Sequence, residues 1–387
     1  MKPSIASGRP RVALDLHTLE SLYQGSRTYC FEIFSRLIVL LPEVDFFLFV
    51  DTQRWNPANV QVFAAPNVFV VHMPHADPIR RLVYQMPALA KRHRIDLLHT
   101  QYICPVFLSA KTAVTIHDIL FEDYPQYFGG FMRLRSKLLF KLSALTCDLL
   151  FSVSDYSRQA IAAHYGIPLQ KIVKTPNGVD TQHFFPGPEF PGPAGRAEVE
   201  ALGLHAAEYL LTVGRLEPRK NHIGLLHAYA LLPEPRPRLV IVGQEDFGFE
   251  NIYTTVETLG LRDDTLFLQS ADAALLAALY RHARLFVYPS FAEGFGIPVL
   301  EAMASGVPVV TSNTTSLPEV AGGAAVLVDP ASPRAICEAM QSVGDDPALA
   351  ARMVEDGLAQ AARYSWDASA RAMEAAYRAY FGLGQRG

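Results

Sequence analysis

Short apolar runs recur along the chain, separated by longer stretches whose apolar positions follow a helical period. In the first half the runs are RVALDL (11–16), DFFLFV (45–50), NVFVVH (67–72), IDLLHT (95–100), TAVTIH (112–117), DLLFSVS (148–154) and KIVKTP (171–176). They are continuous rather than alternating, the pattern of parallel strands buried on both faces. Helical spacing fills 27–41, 79–93, 131–146 and 155–165. Repeated strand–helix units of this kind predict a doubly wound α/β sheet.

A proline- and glycine-rich stretch, FFPGPEFPGPAG (184–195), then interrupts the pattern. Its prolines sustain neither a helix nor a central strand, so it reads as a linker. Strand-like runs resume with YLLTVG (209–214), RLVIVG (238–243), TLFLQ (265–269), RLFVYP (284–289), VPVVTS (307–312) and AAVLVD (324–329). The expected organisation is a first Rossmann-like domain over 1–185, a linker over 186–200 and a second domain over 201–364. The remainder, 365–387, places Trp366, Ala370, Met373, Tyr377 and Tyr380 near helical spacing and predicts a last helix. Two doubly wound domains would face a cleft, with chemistry in the loops that follow the strands.

Composition narrows the class. The chain has 387 residues, 50% of them hydrophobic and 19% charged, too long for one compact core and too apolar for disorder. A net charge of −4 argues against a dominant nucleic-acid-binding field. Cys30, Cys104, Cys147 and Cys337 are scattered, without the spacing of a zinc site or redox pair. The densest apolar stretch, LIVLLPEVDFFLFV, is broken by Pro42, Glu43 and Asp45, well short of the roughly 20 residues of a membrane span. With no signal-peptide core at the N-terminus, the expectation is a cytoplasmic protein that at most touches a membrane surface.

The most informative segment is PSFAEGFGIPVLEAMASG (289–306). A strand ends in a loop holding Glu293, Gly294, Phe295 and Gly296, Pro298 suits a first helical turn, and Gly306 suits its end. The backbone N–H groups of 294–297 would then open a helix, which is an anion site. Glu293 and Glu301 stand eight positions apart, one in the loop and one a turn into the helix. Glu301 alone is explained as a favourable dipole partner. Glu293 in a glycine-flanked loop is not, and a carboxylate pair there suits sugar or ribose hydroxyls beside a phosphate. A second cluster, YLLTVGRLEPRKNH (209–222), sets Arg215, Arg219 and Lys220 just after a strand. Alone it reads as a solvated basic turn; beside an anion-binding helix start it reads as a diphosphate ligand.

GRLEPRKN together with EGFGIPVLE resembles the retaining GT-B glycosyltransferases of the family-4 type, over nearly the whole chain. The resemblance implies two Rossmann-like domains facing a central cleft, the nucleotide-sugar donor mainly on the second, and a last helix crossing back to the first. It implies that Arg215 and Lys220 neutralise the donor diphosphate, that Glu301 holds the ribose, and that Glu293 holds the sugar hydroxyls. The amides of Gly294, Phe295, Gly296 and Ile297 would face the donor. In the first domain it places His117, in the T-x-H-D stretch Thr115–Asp118, near the reacting centre and Gly25 in a glycine-rich loop after the first strand. A buried structural histidine explains His117 as well, and this sequence has one glycine where relatives have two or three. Ser154 is accounted for equally by a helix N-cap.

The resemblance further implies hexosyl transfer with retention and no metal or other cofactor, and no Asp-x-Asp tripeptide occurs. The phrase NTTSLPEVAGGAAVLVDP (313–330) looks most like bacterial mannosyltransferases of O-antigen or exopolysaccharide synthesis, making GDP-mannose the expected donor and a glycan or lipid-linked saccharide the expected acceptor. A UDP-sugar donor is the alternative, and a non-catalytic glycan-binding protein is the alternative of another class. A nicotinamide dehydrogenase has no support, because no G-x-G-x-x-G follows a predicted strand. Finally, FMRLRSKLLFKLSALT (131–146) carries Arg133, Arg135, Lys137 and Lys141 among Leu and Phe. It reads either as a surface helix with solvated cations or as a contact with an anionic membrane or lipid-diphosphate acceptor.

Overall fold

The chain, seen in a computed structural model, is described over residues 8–20, 25–53, 61–74, 77–106, 108–187 and 195–384, the side chains of Thr18 and Glu20 excepted. It divides into two compact units, Met1–Asn177 with Trp366–Gly387, and Gly178–Ser365. The sequence boundary therefore differs from the division in space, which falls ahead of the proline-rich stretch. Residues 188–194 of the expected linker lie outside the described residues. Its last part is not linker: Arg196–Ala201 is a helix belonging to the second unit.

Unit 1 is built on a seven-stranded parallel sheet in the order β3-β2-β1-β4-β5-β6-β7. Its strands are β1 (Arg11–Asp15), β2 (Asp45–Asp51), β3 (Val68–Met73), β4 (Leu97–Gln101), β5 (Lys111–Thr115), β6 (Leu149–Ser152) and β7 (Ile172–Lys174). Helices α1 (Gly25–Leu40), α2 (Gly130–Thr146) and α3 (Asp155–Tyr165) connect them. The helix expected over 79–93 is interrupted by a π-helical turn at Arg81–Gln85. Pro87 has no N–H to give the carbonyl of Val83 and its ring crowds that carbonyl, so the ladder widens ahead of it.

Unit 2 repeats the plan with six parallel strands in the order β10-β9-β8-β11-β12-β13. These are β8 (Tyr209–Val213), β9 (Arg238–Val242), β10 (Thr265–Leu268), β11 (Leu285–Tyr288), β12 (Val309–Ser312) and β13 (Val326–Val328). Leu210, Leu239, Ile241, Leu285, Val287 and Val310 turn one face of this sheet into a core with Leu225, Leu226 and Tyr229 of α4 (His222–Ala230). Helices α5 (Ala273–His282) and α6 (Ile297–Ala304) follow β10 and β11. The decisive topological point is that β8 lies beside β11, with Leu210 opposite Leu285 and Leu211 opposite Phe286. Strand order reverses there, so the loops after β8 and β11 open at the carboxyl ends of neighbouring strands.

The last helix, α7 (Trp366–Phe381), belongs to unit 1. It buries Trp366, Ala370, Met373, Tyr377 and Phe381, one stripe of a 3.6-residue period, and packs against α1. The Tyr377 hydroxyl sits 2.7 Å from Nδ1 of His99, inside β4, and the Ser369 hydroxyl donates to the Pro176 carbonyl at 2.6 Å. Burial holds His99 far below its usual range, at about 3, so it is a neutral, hydrogen-bonded core residue.

Candidate active site in the second unit

Two loops make the site, one after β8 and one after β11. Pro218 begins a single 3-10 turn, Pro218–Lys220, which ends at Asn221 in the left-handed conformation. The Asn221 side chain accepts from the Gly224 amide at 3.2 Å, capping α4, and donates to the carbonyls of Pro289 (2.9 Å) and Pro330 (2.7 Å). The Phe291 amide bonds the Arg219 carbonyl at 2.9 Å, and Ser290 Oγ lies 3.1 Å from the same carbonyl. These non-local bonds fix the basic turn against the acidic loop.

At the junction lies the Glu293 carboxylate, nearly buried. Its Oε1 accepts from Lys220 Nζ (2.7 Å), Tyr288 OH (2.8 Å) and Ser290 Oγ (2.6 Å), while Oε2 is 3.0 Å from Arg219 Nη1. Lys220 Nζ also donates to Tyr288 OH at 2.7 Å, and Arg219 Nη2 pairs with Glu217 at 2.6 Å. Burial alone would raise the Glu293 pKa. The charges of Lys220 and Arg219, with hydrogen bonds from Lys220 and Ser290, override it and hold the group at about 2. Burial pulls the Lys220 pKa below its ordinary value, against the opposing pull of Glu293. Glu293 is ionised at neutral pH, and Lys220, with two of its N–H groups on Glu293 and Tyr288, keeps a third for an incoming acceptor.

Beyond Glu293 the chain turns through Gly296 at φ +110°, where an added Cβ would lie 2.7 Å from Leu317 Cδ2. Only glycine suits both constraints. Ser316 Oγ, within 2.8 Å of the Glu293 carbonyl and 2.7 Å of that of Phe295, pins the turn. Helix α6 starts at Ile297, and among the described residues the amides of Phe295, Gly296 and Ile297 have no hydrogen-bond acceptor. An anion would complete this helix start. One turn on, Glu301 accepts from Tyr280 OH at 2.9 Å. Burial lifts its pKa to about 7, partly opposed by that bond, so neutral pH finds it half ionised.

Arg215 points its guanidinium at Asp246, 2.6 Å away. The segment Gly243–Asp246 is tied to it by main chain, Leu216 N to Gln244 O (2.8 Å) and Asp246 N to Leu216 O (3.2 Å). A Cβ on Gly243 would fall 1.9 Å from the Gly214 carbonyl, so this glycine permits the ends of β8 and β9 to close together. Gln269, beside the expected base pocket, donates to Glu245 at 2.6 Å.

The residues named in unit 1 can be placed within that unit. His117 is buried just past β5, its Nε2 2.8 Å from Gln101 Oε1, and burial depresses its pKa to about 3. It is a neutral imidazole hydrogen-bonded through Nε2 to the Gln101 amide. Gly25 opens α1; the loop before it, 21–24, lies outside the described residues. Ser154 caps α3, its hydroxyl accepting from the Ser157 amide at 3.0 Å.

Comparison with known proteins fits this architecture. The sequence model of "Glycosyl transferases group 1" covers residues 198–360, and that of "Glycosyltransferase Family 4" covers residues 23–183. The chain is 37% identical over 263 residues to O-antigen chain mannosyltransferase B of Escherichia coli, covering 66% of this chain and 67% of that one. The chain belongs to the GT-B glycosyltransferases.

Its relatives include O-antigen chain mannosyltransferase RfbU of Salmonella typhimurium, 27% identical over 82% of this chain and 85% of that one. A D-inositol 3-phosphate glycosyltransferase of Segniliparus rotundus is 36% identical over 57% of this chain, a match spanning about half of that relative (49%). In fold, sucrose-phosphate synthase of Thermosynechococcus elongatus superposes with a TM-score of 0.80 at 21% identity, over 97% of this chain and 100% of that one.

Within this glycosyltransferase the structure brings Arg215, Lys220, Glu293, the 294–297 turn and Glu301 into one unit, on neighbouring loops and the helix between them. Sequence reasoning missed Tyr288, Ser290, Thr315 and Ser316, whose hydroxyls hold the loop, and Tyr280, which holds Glu301. Tyr288 ends a strand and Ser316 precedes a short helix, and neither carries a motif of its own. The sequence assigned Glu293 to sugar hydroxyls; the structure surrounds it with four protein donors.

Removing the charge of Glu293 leaves two sequestered cations without their shared partner. Glu293→Gln is therefore expected to lower unfolding free energy by about 3–5 kcal/mol, read as an earlier midpoint in urea. The sign with pH follows from a carboxyl whose folded pKa, about 2, lies below its ordinary 4.5. Its stabilisation is complete above about pH 4.5 and is lost as pH falls towards 2, so the gap between wild type and variant should narrow over that interval.

Proposed function

We propose that this glycosyltransferase transfers mannose from GDP-mannose to a hydroxyl of a glycan or lipid-linked saccharide, with retained anomeric configuration, in the synthesis of a cell-surface polysaccharide. The observation that carries the transfer reading is the join between a sequestered Lys220–Glu293–Arg219 cluster and a helix start with unclaimed amides. The mannosyl reading is supported by the name of the relative at 37% identity.

In this reading Lys220 and the α6 amides receive the donor diphosphate, and Arg215 exchanges Asp246 for a phosphate oxygen. Negative charge grows on the diphosphate as the glycosidic bond breaks, and donors already fixed in place stabilise it without reorganising. Cations and the helix start take the task that a divalent metal performs elsewhere. The departing phosphate accepts the acceptor's proton on the same face. Glu301, once ionised, accepts from the two ribose hydroxyls. Glu293 takes a dual part: it positions Lys220 and offers its rim to the sugar. His117 and Gly25 enter only through the family resemblance. A UDP-sugar donor would leave the mechanism unchanged.

The test is nucleotide release from a panel of GDP- and UDP-sugars with saccharide and lipid-linked acceptors, with and without EDTA, and NMR of the product's anomeric proton. GDP release from GDP-mannose that survives EDTA, with a retained anomer, is expected; UDP release replaces the donor, and an inverted anomer overturns the mechanism. Donor binding by calorimetry with no turnover on any acceptor would point to the non-catalytic alternative. Lys220→Ala should lower kcat/KM about 100-fold or more, because Glu293 keeps Arg219 and the fold survives. Near wild-type turnover would remove Lys220 from the diphosphate site. Donor kcat/KM should be about tenfold higher at pH 8 than at pH 6, tracking a group at about 7. Glu301→Gln should flatten that limb.

A further inference from the structure

The helix α2 turns the wrong face outward for a helix packed on a sheet. Ser136, Ser143 and Ala144 face in, and Ser143 Oγ is held there by the Cys104 amide (2.9 Å) and the Leu139 carbonyl (2.8 Å). Phe131, Leu134, Leu138, Leu142 and Leu145 recur at spacings of three and four and are 43–83% exposed. This is one continuous apolar stripe on the solvent side, the opposite of what burial against the sheet would select.

The surroundings of the stripe are cationic. Arg135 and Lys141 flank it on either edge by helical geometry, and Arg133 and Lys137 follow behind. No Asp or Glu occurs between Tyr124 and Cys147. The nearby acids are committed: Glu122 pairs with Lys137 at 2.9 Å, and Asp123 with His164 at 2.8 Å. The segment 78–92 covers the same sheet face, since Val114 over α2 and Leu98 over that segment share one side of the β4–β5 register. It adds exposed Ile79 and Tyr84 beside Arg80.

We propose that this face of unit 1 docks on a bilayer containing anionic lipid, with the α2 stripe in the headgroup–acyl boundary and its cations on the phosphates. An apolar stripe rimmed by one sign of charge is the signature of an interfacial helix. Charge complementarity favours lipid over a second copy, because a two-fold contact through α2 would bring the same four cations of each chain together. No helix among the described residues is long and apolar enough to cross a membrane, so the contact is peripheral. The proposal is independent of the donor.

Co-sedimentation of the full chain with vesicles tests it, using phosphatidylcholine alone or with roughly a third phosphatidylglycerol. Binding is expected to the anionic vesicles, at least about tenfold above the neutral ones, and to weaken about tenfold at high salt. The double variants Leu134→Ser with Leu138→Ser and Arg135→Glu with Lys141→Glu should each weaken it about 30-fold or more, with unchanged circular dichroism because all four side chains are exposed. Equal binding to both vesicles, binding to neither, or wild-type binding by the variants would overturn the proposal. A dimer abolished by the leucine variant, with no vesicle binding, would give the face to a second copy instead.

Discussion

One carboxylate organises the second unit's site. Glu293 is the point at which two loops from neighbouring strands become a single structure, since its oxygens take Lys220 and Arg219 from one loop and Tyr288 and Ser290 from the other. Desolvating two cations so close together would oppose folding without an anion between them. The same anion opposes the loss of charge that burial urges on Lys220 and holds its ammonium against the loop after β11. Positioning and charge are thus supplied by one group, and the glycine turn at Gly296 then sets the helix amides beside it.

Most of the fold is legible in the sequence because parallel strands buried on both faces leave uninterrupted apolar runs. Each expected strand is present, with ends displaced by a residue or two, as in β4, which begins at Leu97 rather than at Ile95. The exceptions are local. Pro87 widens the helical ladder ahead of it, and the polar Arg196–Ala201 segment forms a helix directly after a proline-rich run. The division between units could not be read from composition, because chain continuity and packing part company at Asn177.

The charged members of the site were visible as GRLEPRK and the spaced glutamates, since charge in a glycine-rich loop has few structural explanations. What the sequence could not show was who partners whom. Arg219 stood out as a cation but not as a ligand of Glu293 and Glu217, and Arg215 gave no sign of Asp246 thirty-one positions on. The hydroxyls of Tyr280, Tyr288, Ser290 and Ser316 were silent for the same reason. They act across strand neighbours, and strand order is a property of the sheet rather than of any window of sequence.

The core of unit 1 is discontinuous in the chain: Trp366, Ala370, Met373 and Tyr377 complete it from beyond the whole of unit 2. On the ribosome the first sheet therefore emerges with one side of α1 and the His99 ring still uncovered, and waits through the synthesis of 178–365. Unit 2 has every one of its strands in hand before that cover arrives. The order of completion during translation is thus the reverse of the order of the strands, and the enzyme's first domain is the last to close.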